Sequence, residues 1–309
     1  MVKASVIVPV FNRENLVVRC LDSILGQTLK PRELIVVDNA STDQTRQVVA
    51  RWMESHKDSG IEMKLLSETR QGACFARQKG LENATGDYVI FFDSDDEMLP
   101  GLLEKACRKV EDDPSLDIVC WKCRINRLDG SSRVPTFMAD KPVEAHLIHT
   151  LLRPQGHLVR KKFLTEAGGW SKPVKVWDDL ELGLRLLLAN PKIAGIPEVL
   201  AEIHAQDESI TGTDFSSKEG EWEKILREME KVNESSSHPL RKRIARILAY
   251  RKAILAAHYS REGNSKAASR LLEEALRNSD PKLRFLLRFS YEYTRRGLRG
   301  AWRFVRLAI

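Results

Sequence analysis

Three carboxylates follow directly on a run of apolar residues in the first third of the chain. The run covers Tyr88–Phe92, and Asp93, Asp95 and Asp96 come immediately after it. Packing does not account for these side chains, because an unpaired buried charge is costly. A divalent cation bridging to phosphate oxygens would make the cluster favourable, since Mg²⁺ and Mn²⁺ prefer carboxylate oxygen. An acidic turn that caps the next helix would explain the same residues, and the cluster alone favours neither interpretation.

Other polar residues occupy similar places along the chain. Asp38 ends a second apolar run, where it could begin a turn or accept hydrogen bonds from a base or ribose. Arg77 lies in a helical pattern. It could be a solvated surface cation, or it could neutralise the charge of a diphosphate. Asp178 and Asp179 begin another helical pattern, where the helix dipole favours acids. Each residue therefore has a structural and a functional interpretation.

The elements that would position these residues alternate regularly. The apolar runs Ala4–Val10, Leu34–Val37, Ile61–Leu66 and Tyr88–Phe92 are each followed by an amphipathic helical pattern. This order predicts an α/β fold, with a mostly parallel sheet flanked by helices. Ligands of such sheets bind beyond the carboxyl ends of the strands, so the acids should gather at one edge. Beyond Ser216 the pattern predicts helices throughout.

Composition and missing motifs exclude several classes of protein. The chain has 309 residues, of which 42% are hydrophobic and 30% charged, as in soluble globular proteins. No window has the roughly 18 apolar residues of a membrane span, and no export signal is recognised, so we expect a cytoplasmic protein. The glycine-rich phosphate loops of dinucleotide-binding and P-loop proteins are absent from the sequence. Five cysteines, including Cys120 and Cys123, are interpreted as structural thiols.

The net charge of +7 belongs entirely to residues 281–309, which hold eight basic side chains and one acidic one. Because the rest of the chain is neutral, we expect no nucleic-acid partner. Leu298, Trp302, Val305 and Ile309 recur at helical spacing beside arginines. Such a basic amphipathic helix suits an anionic membrane surface, at the inner face of the cell membrane. Packing of the same stripe on the preceding helices is the alternative.

Together, the motifs resemble family 2 glycosyltransferases. The segments VIVPVFNRE, VVDNASTD, RQGACFARQKGL and GDYVIFFDSDDEMLP follow the nucleotide-sugar half of that family in order and spacing. The resemblance continues through GHLVRKKFLTEAGGW, VWDDLELGLRL and IPEVLAEIHAQDESIT, and it covers about residues 1–212. It implies a GT-A fold with a Rossmann-like nucleotide-binding half (1–124) and an acceptor half (125–212). Residues 213–309 would form an all-helical extension with a basic amphipathic tail over 281–309.

The resemblance also implies a nucleotide-sugar site. Asp38 should contact the uracil or its ribose, opposite the loop that follows the first strand. Arg77 should lie near the donor phosphates, and Asp93 near the ribose. The residues that the resemblance assigns to the donor are Pro9, Val10, Phe11, Arg13, Asp38, Arg77, Asp93 and Ser94.

A metal site and a base follow from the same resemblance. Asp95 and Asp93 match the DXD motif and should hold Mn²⁺ or Mg²⁺, with His204 approaching the metal or the diphosphate. Asp179 is the candidate general base. Asp96 and Asp178 are expected to support these groups.

The implied activity is metal-dependent, inverting transfer of a sugar from a nucleotide donor, UDP-linked by expectation. The acceptor would be a hydroxyl of a saccharide or lipid-linked molecule, as in polysaccharide or glycolipid synthesis. A non-catalytic nucleotide-sugar-binding or scaffold protein with the same fold is the alternative. Intact Asp93, Asp95 and Asp179 favour the enzyme, because a binding protein does not need a base.

Overall fold

Two compact units make up the chain, and the computed structural model describes residues 2–170, 176–206 and 215–306. The first unit comprises Met1–Ala145 and His149–Glu208, and the second comprises His146–Ile148 and Ser209–Ile309. The boundary predicted after residue 212, and Ile309 of the predicted apolar stripe, lie outside the described residues.

The first unit is built on a sheet to which the described residues contribute nine strands. The strands are β1 (Ala4–Val10), β2 (Glu33–Asp38), β3 (Glu62–Ser67), β4 (Tyr88–Phe91), β5 (Glu97–Met98), β6 (Ile118–Asn126), β7 (Ser132–Arg133), β8 (His157–Arg160) and β9 (Ile193–His204). Their order is β3-β2-β1-β4-β8-β6-β9-β5, with β7 paired to β6.

Helices accompany the sheet, and those that follow the first four apolar runs, together with the one that begins at Asp178, occur where the sequence predicts them. They are α1 (Val17–Leu25), α2 (Thr45–Ser55), α3 (Ala73–Asn83), α4 (Leu102–Asp112), α5 (Pro142–His149), α6 (Lys161–Glu166) and α7 (Asp178–Leu188).

The strands β1 to β4 form the parallel half of the sheet. Every residue of β1 and β2 is buried, as expected of strands covered on both faces. Val10 pairs with Asp38, and Asp38 pairs with Ser67, so the carboxyl ends of these strands lie level. Ile7 accepts a hydrogen bond from the backbone of Phe92, directly before the acidic cluster. The predicted edge is therefore formed.

Helix α3 lies directly on β1 because residue 80 has no side chain. A Cβ at Gly80 would come within 2.3 Å of Ile7 Cγ2, closer than carbon atoms can pack. A larger residue would push the helix away from the strand. This close approach determines how deeply Arg77, one turn earlier in α3, is set against the sheet.

Burial rather than chemistry explains the cysteines. All five are buried, and none of them forms a disulfide. Burial raises the pKa of Cys120 and of Cys123 to about 12. Thiols that stay protonated are poor nucleophiles and poor metal ligands, so the structural interpretation of the pair is supported.

The described part of the second unit, from residue 215 onward, is helical. Its helices are α8 (Glu219–Glu234), α9 (Arg241–Arg261), α10 (Ser265–Arg277), α11 (Pro281–Arg295) and α12 (Trp302–Val305). The side chains of Asn264 and Asp280 accept hydrogen bonds at the starts of α10 and α11. Within the described ranges, no helix is both long and apolar enough to cross a bilayer.

The predicted apolar stripe of the tail is not one continuous helix. Gly297 and Gly300 have φ values of 83° and 93°, and these left-handed residues interrupt the helical conformation between α11 and α12. Leu298 therefore lies outside α12 and is exposed. Val305 is fully buried, in a core of helical residues that also includes Tyr250, Ala253, Ala275, Leu283, Leu287 and Ala301. The described residues of the stripe therefore do not form one continuous exposed face, because Val305 packs inward whereas Leu298 is exposed.

Candidate active site

The loops after β1 and β2 are joined by side-chain to backbone hydrogen bonds. Asn12, at a left-handed φ of 49°, accepts from the Thr42 backbone N–H at 2.8 Å. Pro9 and Val10 are buried within β1, whereas the ring of Phe11 is 41% exposed. Asp38 is buried and accepts from the Ser41 backbone N–H at 3.3 Å. Phe11 and Asp38 thus offer an apolar face and a carboxylate at adjacent strand ends.

Asn39 holds the loop that leads into α3. Its amide nitrogen donates to the carbonyls of Glu68, at 3.2 Å, and Arg70, at 2.7 Å. Its amide oxygen accepts from the Gly72 backbone N–H at 2.7 Å. An aspartate at this position could accept from Gly72 but could not donate to the two carbonyls. The position therefore requires an amide in this chain.

The three carboxylates after β4 have different surroundings. Asp93 accepts from Arg77 Nη2 at 2.8 Å, and Asp95 lies 3.5 Å from Arg13 Nε. Asp96 is buried, and accepts from the His204 backbone N–H at 2.8 Å. Burial, followed by the charge of Asp93, raises the pKa of Asp95 and, more strongly, of Asp96. The neighbouring cations therefore do not fully neutralise the negative charge of the cluster.

Arg77 joins the two ends of the site. Its guanidinium is buried, with Nη1 2.5 Å from Asp178 Oδ2 and Nη2 2.8 Å from Asp93 Oδ1. The ring of Trp170 lies 4.7 Å from the guanidinium carbon. Although burial opposes it, the charges of Asp178 and Asp93 raise the pKa of Arg77 above its ordinary value. One permanent cation therefore holds residues that are 85 positions apart in sequence.

Asp178 and Asp179 begin α7 after a left-handed residue, Trp177, whose φ is 50°. Asp178 accepts from the Asp179 backbone N–H at 2.9 Å, in addition to its pairing with Arg77. Asp179 accepts from the Leu180 backbone N–H at 2.8 Å. Burial, followed by the charge of Asp178, raises the pKa of Asp179 to about 6. A carboxyl group with a pKa of about 6 can accept a proton near neutral pH, as a general base must.

Gln155 is a member of the site that the sequence did not reveal. Its amide nitrogen donates to Asp93 Oδ2 at 2.5 Å and also to Asp96 Oδ2. Its backbone carbonyl accepts from the Trp121 indole N–H at 2.8 Å, which anchors the short turn in which it lies. A lone glutamine between Pro154 and Gly156 has no charge and no recurrent spacing. No sequence signal singles it out from other loop amides.

The donor atoms suit a divalent cation only in part. Asp93 and Asp95 supply the carboxylate oxygens that Mg²⁺ and Mn²⁺ prefer, and the crowded charge favours a cation there. Across the described residues, however, no group of three or more His, Cys, Asp or Glu side chains could hold a metal ion by itself. The ring of His204 lies with Nε2 3.0 Å from Glu97 Oε1. The arrangement fits a cation that takes further ligands from a phosphate-bearing substrate.

The sheet and the acids at its carboxyl edge define an α/β protein with a ligand site at that edge. Comparison with known families is more specific. The model of glycosyl transferase family 2 matches residues 5–164, more than half of the chain. The chain belongs to this family.

Curated relatives agree with this assignment. The chain is 38% identical over 112 residues to a GalNAc(5)-diNAcBac-PP-undecaprenol beta-1,3-glucosyltransferase of Campylobacter jejuni. It is 36% identical over 108 residues to the amylovoran biosynthesis glycosyltransferase AmsB of Erwinia amylovora. The first match covers 36% of each chain and the second covers 35% of each. The chain therefore matches only about a third of each relative.

Solved structures confirm the predicted GT-A fold. S. aureus TarS 1-349 in complex with UDP-GlcNAc superposes with a TM-score of 0.71 at 20% identity, covering 96% of this chain and 92% of that one. The mannosyltransferase PcManGT of Pyrobaculum calidifontis, in complex with GDP-Man and Mn²⁺, has a TM-score of 0.63 at 20% identity. This match covers 98% of our chain and 85% of the mannosyltransferase.

Proposed function

We propose that this glycosyltransferase moves a sugar, with inversion, from a nucleoside diphosphate to an acceptor hydroxyl. The observation that carries the proposal is the position of Arg77, which bridges Asp93 and Asp178. It joins the acidic end of β4, suited to the donor, to the Asp178–Asp179 pair, suited to proton transfer. A protein that only binds a nucleotide sugar does not need this second half.

The donor pocket uses the strand ends of β1 and β2. Phe11 can lie against the base, and the buried carboxylate of Asp38 can accept its hydrogen bonds. Arg13 and Ser94 lie beside the acidic cluster, where the ribose and diphosphate would follow. The UDP-GlcNAc complex of TarS supports a UDP-sugar donor.

Asp179 acts as the base. As the acceptor oxygen attacks the anomeric carbon, its proton passes to Asp179, which must lie within about 2.6–3.2 Å of that hydroxyl. The new carbon–oxygen bond forms on the face opposite the diphosphate, whose bond to the anomeric carbon breaks. The anomeric configuration is therefore inverted.

Asp95 and Asp93 would hold Mn²⁺ or Mg²⁺, with His204 beside them. When bound, such a cation supplies stabilisation of the charge on the departing diphosphate. The Mn²⁺ in the mannosyltransferase structure supports this assignment. Gln155, which donates hydrogen bonds to Asp93 and Asp96, orients these carboxylates, and Asp96 supports the cluster.

The acceptor is proposed to be a saccharide or a lipid-linked saccharide. The names of the Campylobacter and Erwinia relatives support this class, since one describes a PP-undecaprenol compound and the other amylovoran biosynthesis. We propose a cytoplasmic enzyme that works at the inner membrane face.

Product NMR and calorimetry test the proposal. A screen of nucleotide sugars with Mn²⁺ should identify a donor that the wild-type enzyme consumes. The Asp179→Asn variant should bind this donor but should not transfer its sugar. Asp95→Ala should lose the part of donor binding that depends on the divalent ion and is abolished by EDTA. Near-normal transfer by Asp179→Asn would remove this residue as the base. Donor binding by the wild type with no transfer or hydrolysis would favour the non-catalytic alternative.

A further inference from the structure

The outward face of α11 combines aromatic rings with cations. The helix packs inward through residues such as Leu283 and Leu287, which are buried. On the opposite side Phe285 is 69% exposed, and Phe289, one turn later, is 41% exposed. Arg288 is exposed between them. A soluble helix normally places polar residues at such positions, so the two rings need an explanation.

Exposed apolar residues are concentrated in this part of the chain. Six large hydrophobic side chains are exposed among the described residues, and Phe285, Phe289 and Leu298 are three of them. The ring of Phe289 also contacts Phe304 of α12, with centroids 4.8 Å apart, which continues the surface onto the next helix. Isolated exposed hydrophobics are common, whereas exposed rings on successive turns of one helix indicate an interaction site.

The same segment is rich in exposed basic side chains. All eight cations of residues 281–306 are exposed. Arg295 pairs with Glu292, the one acid of this segment, at 2.7 Å. The exposed cations are Lys282, Arg284, Arg288, Arg295, Arg296, Arg299, Arg303 and Arg306.

We propose that this surface, formed by Phe285, Phe289, Leu298 and the exposed cations of the same segment, docks on an anionic lipid bilayer. The rings would enter the boundary between headgroups and acyl chains, and the cations would meet the lipid phosphates. A nucleic-acid duplex would engage the cations but has no apolar phase for the phenyl rings. This docking surface differs from the stripe predicted from the sequence, whose Val305 is buried.

Vesicle co-sedimentation of the full chain tests the proposal. The wild type should sediment with phosphatidylcholine vesicles that contain phosphatidylserine, and much less with phosphatidylcholine alone. Added salt should weaken binding, because it screens the charges. The double variant Phe285→Glu/Arg288→Glu should bind on the order of ten-fold or more weakly, since each cation near such a surface is worth about five-fold.

The matched control is Leu128→Glu/Arg108→Glu, which makes the same charge change at an exposed hydrophobic and an exposed cation of the first unit. It should bind vesicles like the wild type, and both variants should keep the wild-type circular dichroism. The milder Phe285→Ser should bind with intermediate strength.

Vesicle binding unchanged by Phe285→Glu/Arg288→Glu, or equal binding to neutral vesicles, overturns the proposal. A duplex DNA competitor that displaces the vesicles and loses affinity in the same variant would assign the surface to nucleic acid. Transfer to a soluble acceptor should be unaffected, which separates this test from that of the proposed function.

Discussion

Replacing Asp179 with asparagine should abolish transfer and, above pH 6, stabilise the fold. Burial and the charge of Asp178 raise the pKa of Asp179 from 3.8 to about 6. The folded state therefore holds this proton more tightly than the unfolded chain, so ionisation destabilises the fold. The penalty is small at about pH 4, grows as the pH rises, and levels off above the folded pKa. At about 1.4 kcal/mol per pKa unit, it reaches about 3 kcal/mol.

Urea unfolding at about pH 4 and pH 8 measures this difference. Asp179→Asn should exceed the wild type in unfolding free energy by about 3 kcal/mol at the higher pH, and by less than about 1 kcal/mol at the lower. The amide oxygen can still accept from the Leu180 backbone N–H, so the start of α7 is preserved.

Asp113→Asn is the control of opposite sign. Hydrogen bonds from Ser115 and Lys192 lower the pKa of Asp113 to about 2. Its charge stabilises the fold above the unfolded value of 3.8, and this stability is lost as the pH falls toward 2. Asp113→Asn should therefore be less stable than the wild type at pH 8. A gain for Asp179→Asn that is the same at both pH values would refute the reasoning, because it would not come from ionisation.

Three further substitutions probe the groups around this base. Asp178→Asn removes the negative neighbour of Asp179, so the acid limb of the kcat/KM profile should move to lower pH; an unmoved limb would contradict the coupling. Arg77→Met leaves Asp93 and Asp178 without their shared cation and should lower the unfolding free energy by about 3–5 kcal/mol in urea titrations. An unchanged unfolding free energy would mean that the two ion pairs of Arg77 are dispensable for stability. Gln155→Met keeps the side-chain volume but removes two hydrogen bonds to carboxylates, so the fold should lose about 1–3 kcal/mol of stability per bond. Calorimetry should also show weaker donor binding in the presence of Mn²⁺, and unchanged donor binding would restrict Gln155 to a structural role.

The sequence predicted the parallel strands well, for a simple physical reason. A strand covered on both faces must be apolar throughout, so β1, β2 and β4 stand out as short continuous runs. The acids that follow them, Asp38 and Asp93, are conspicuous because they end such runs. Parallel pairing then brings the strand ends to one edge without further information.

The tail was harder to predict, because helical spacing identifies a stripe but not what covers it. Val305 and Leu298 have the same apolar character in the sequence. A glycine break between α11 and α12 gives them different surroundings, so one is buried and the other exposed. The sequence does not identify Phe285 as a surface residue, since an aromatic residue in a helix is usually buried.

By itself, the sequence determined the family, the order of the elements and the edge of the sheet where the acids lie. Those features depend on residue type and local spacing. Only the tertiary structure decided that one buried arginine, Arg77, joins Asp93 to Asp178, and that Gln155 holds Asp93 beside Asp96. Contacts of this kind join distant segments. They depend on how closely α3 approaches β1 at Gly80 and on where a short turn is anchored by Trp121. The raised pKa of Asp179 likewise results from the burial and charge that the assembled fold provides.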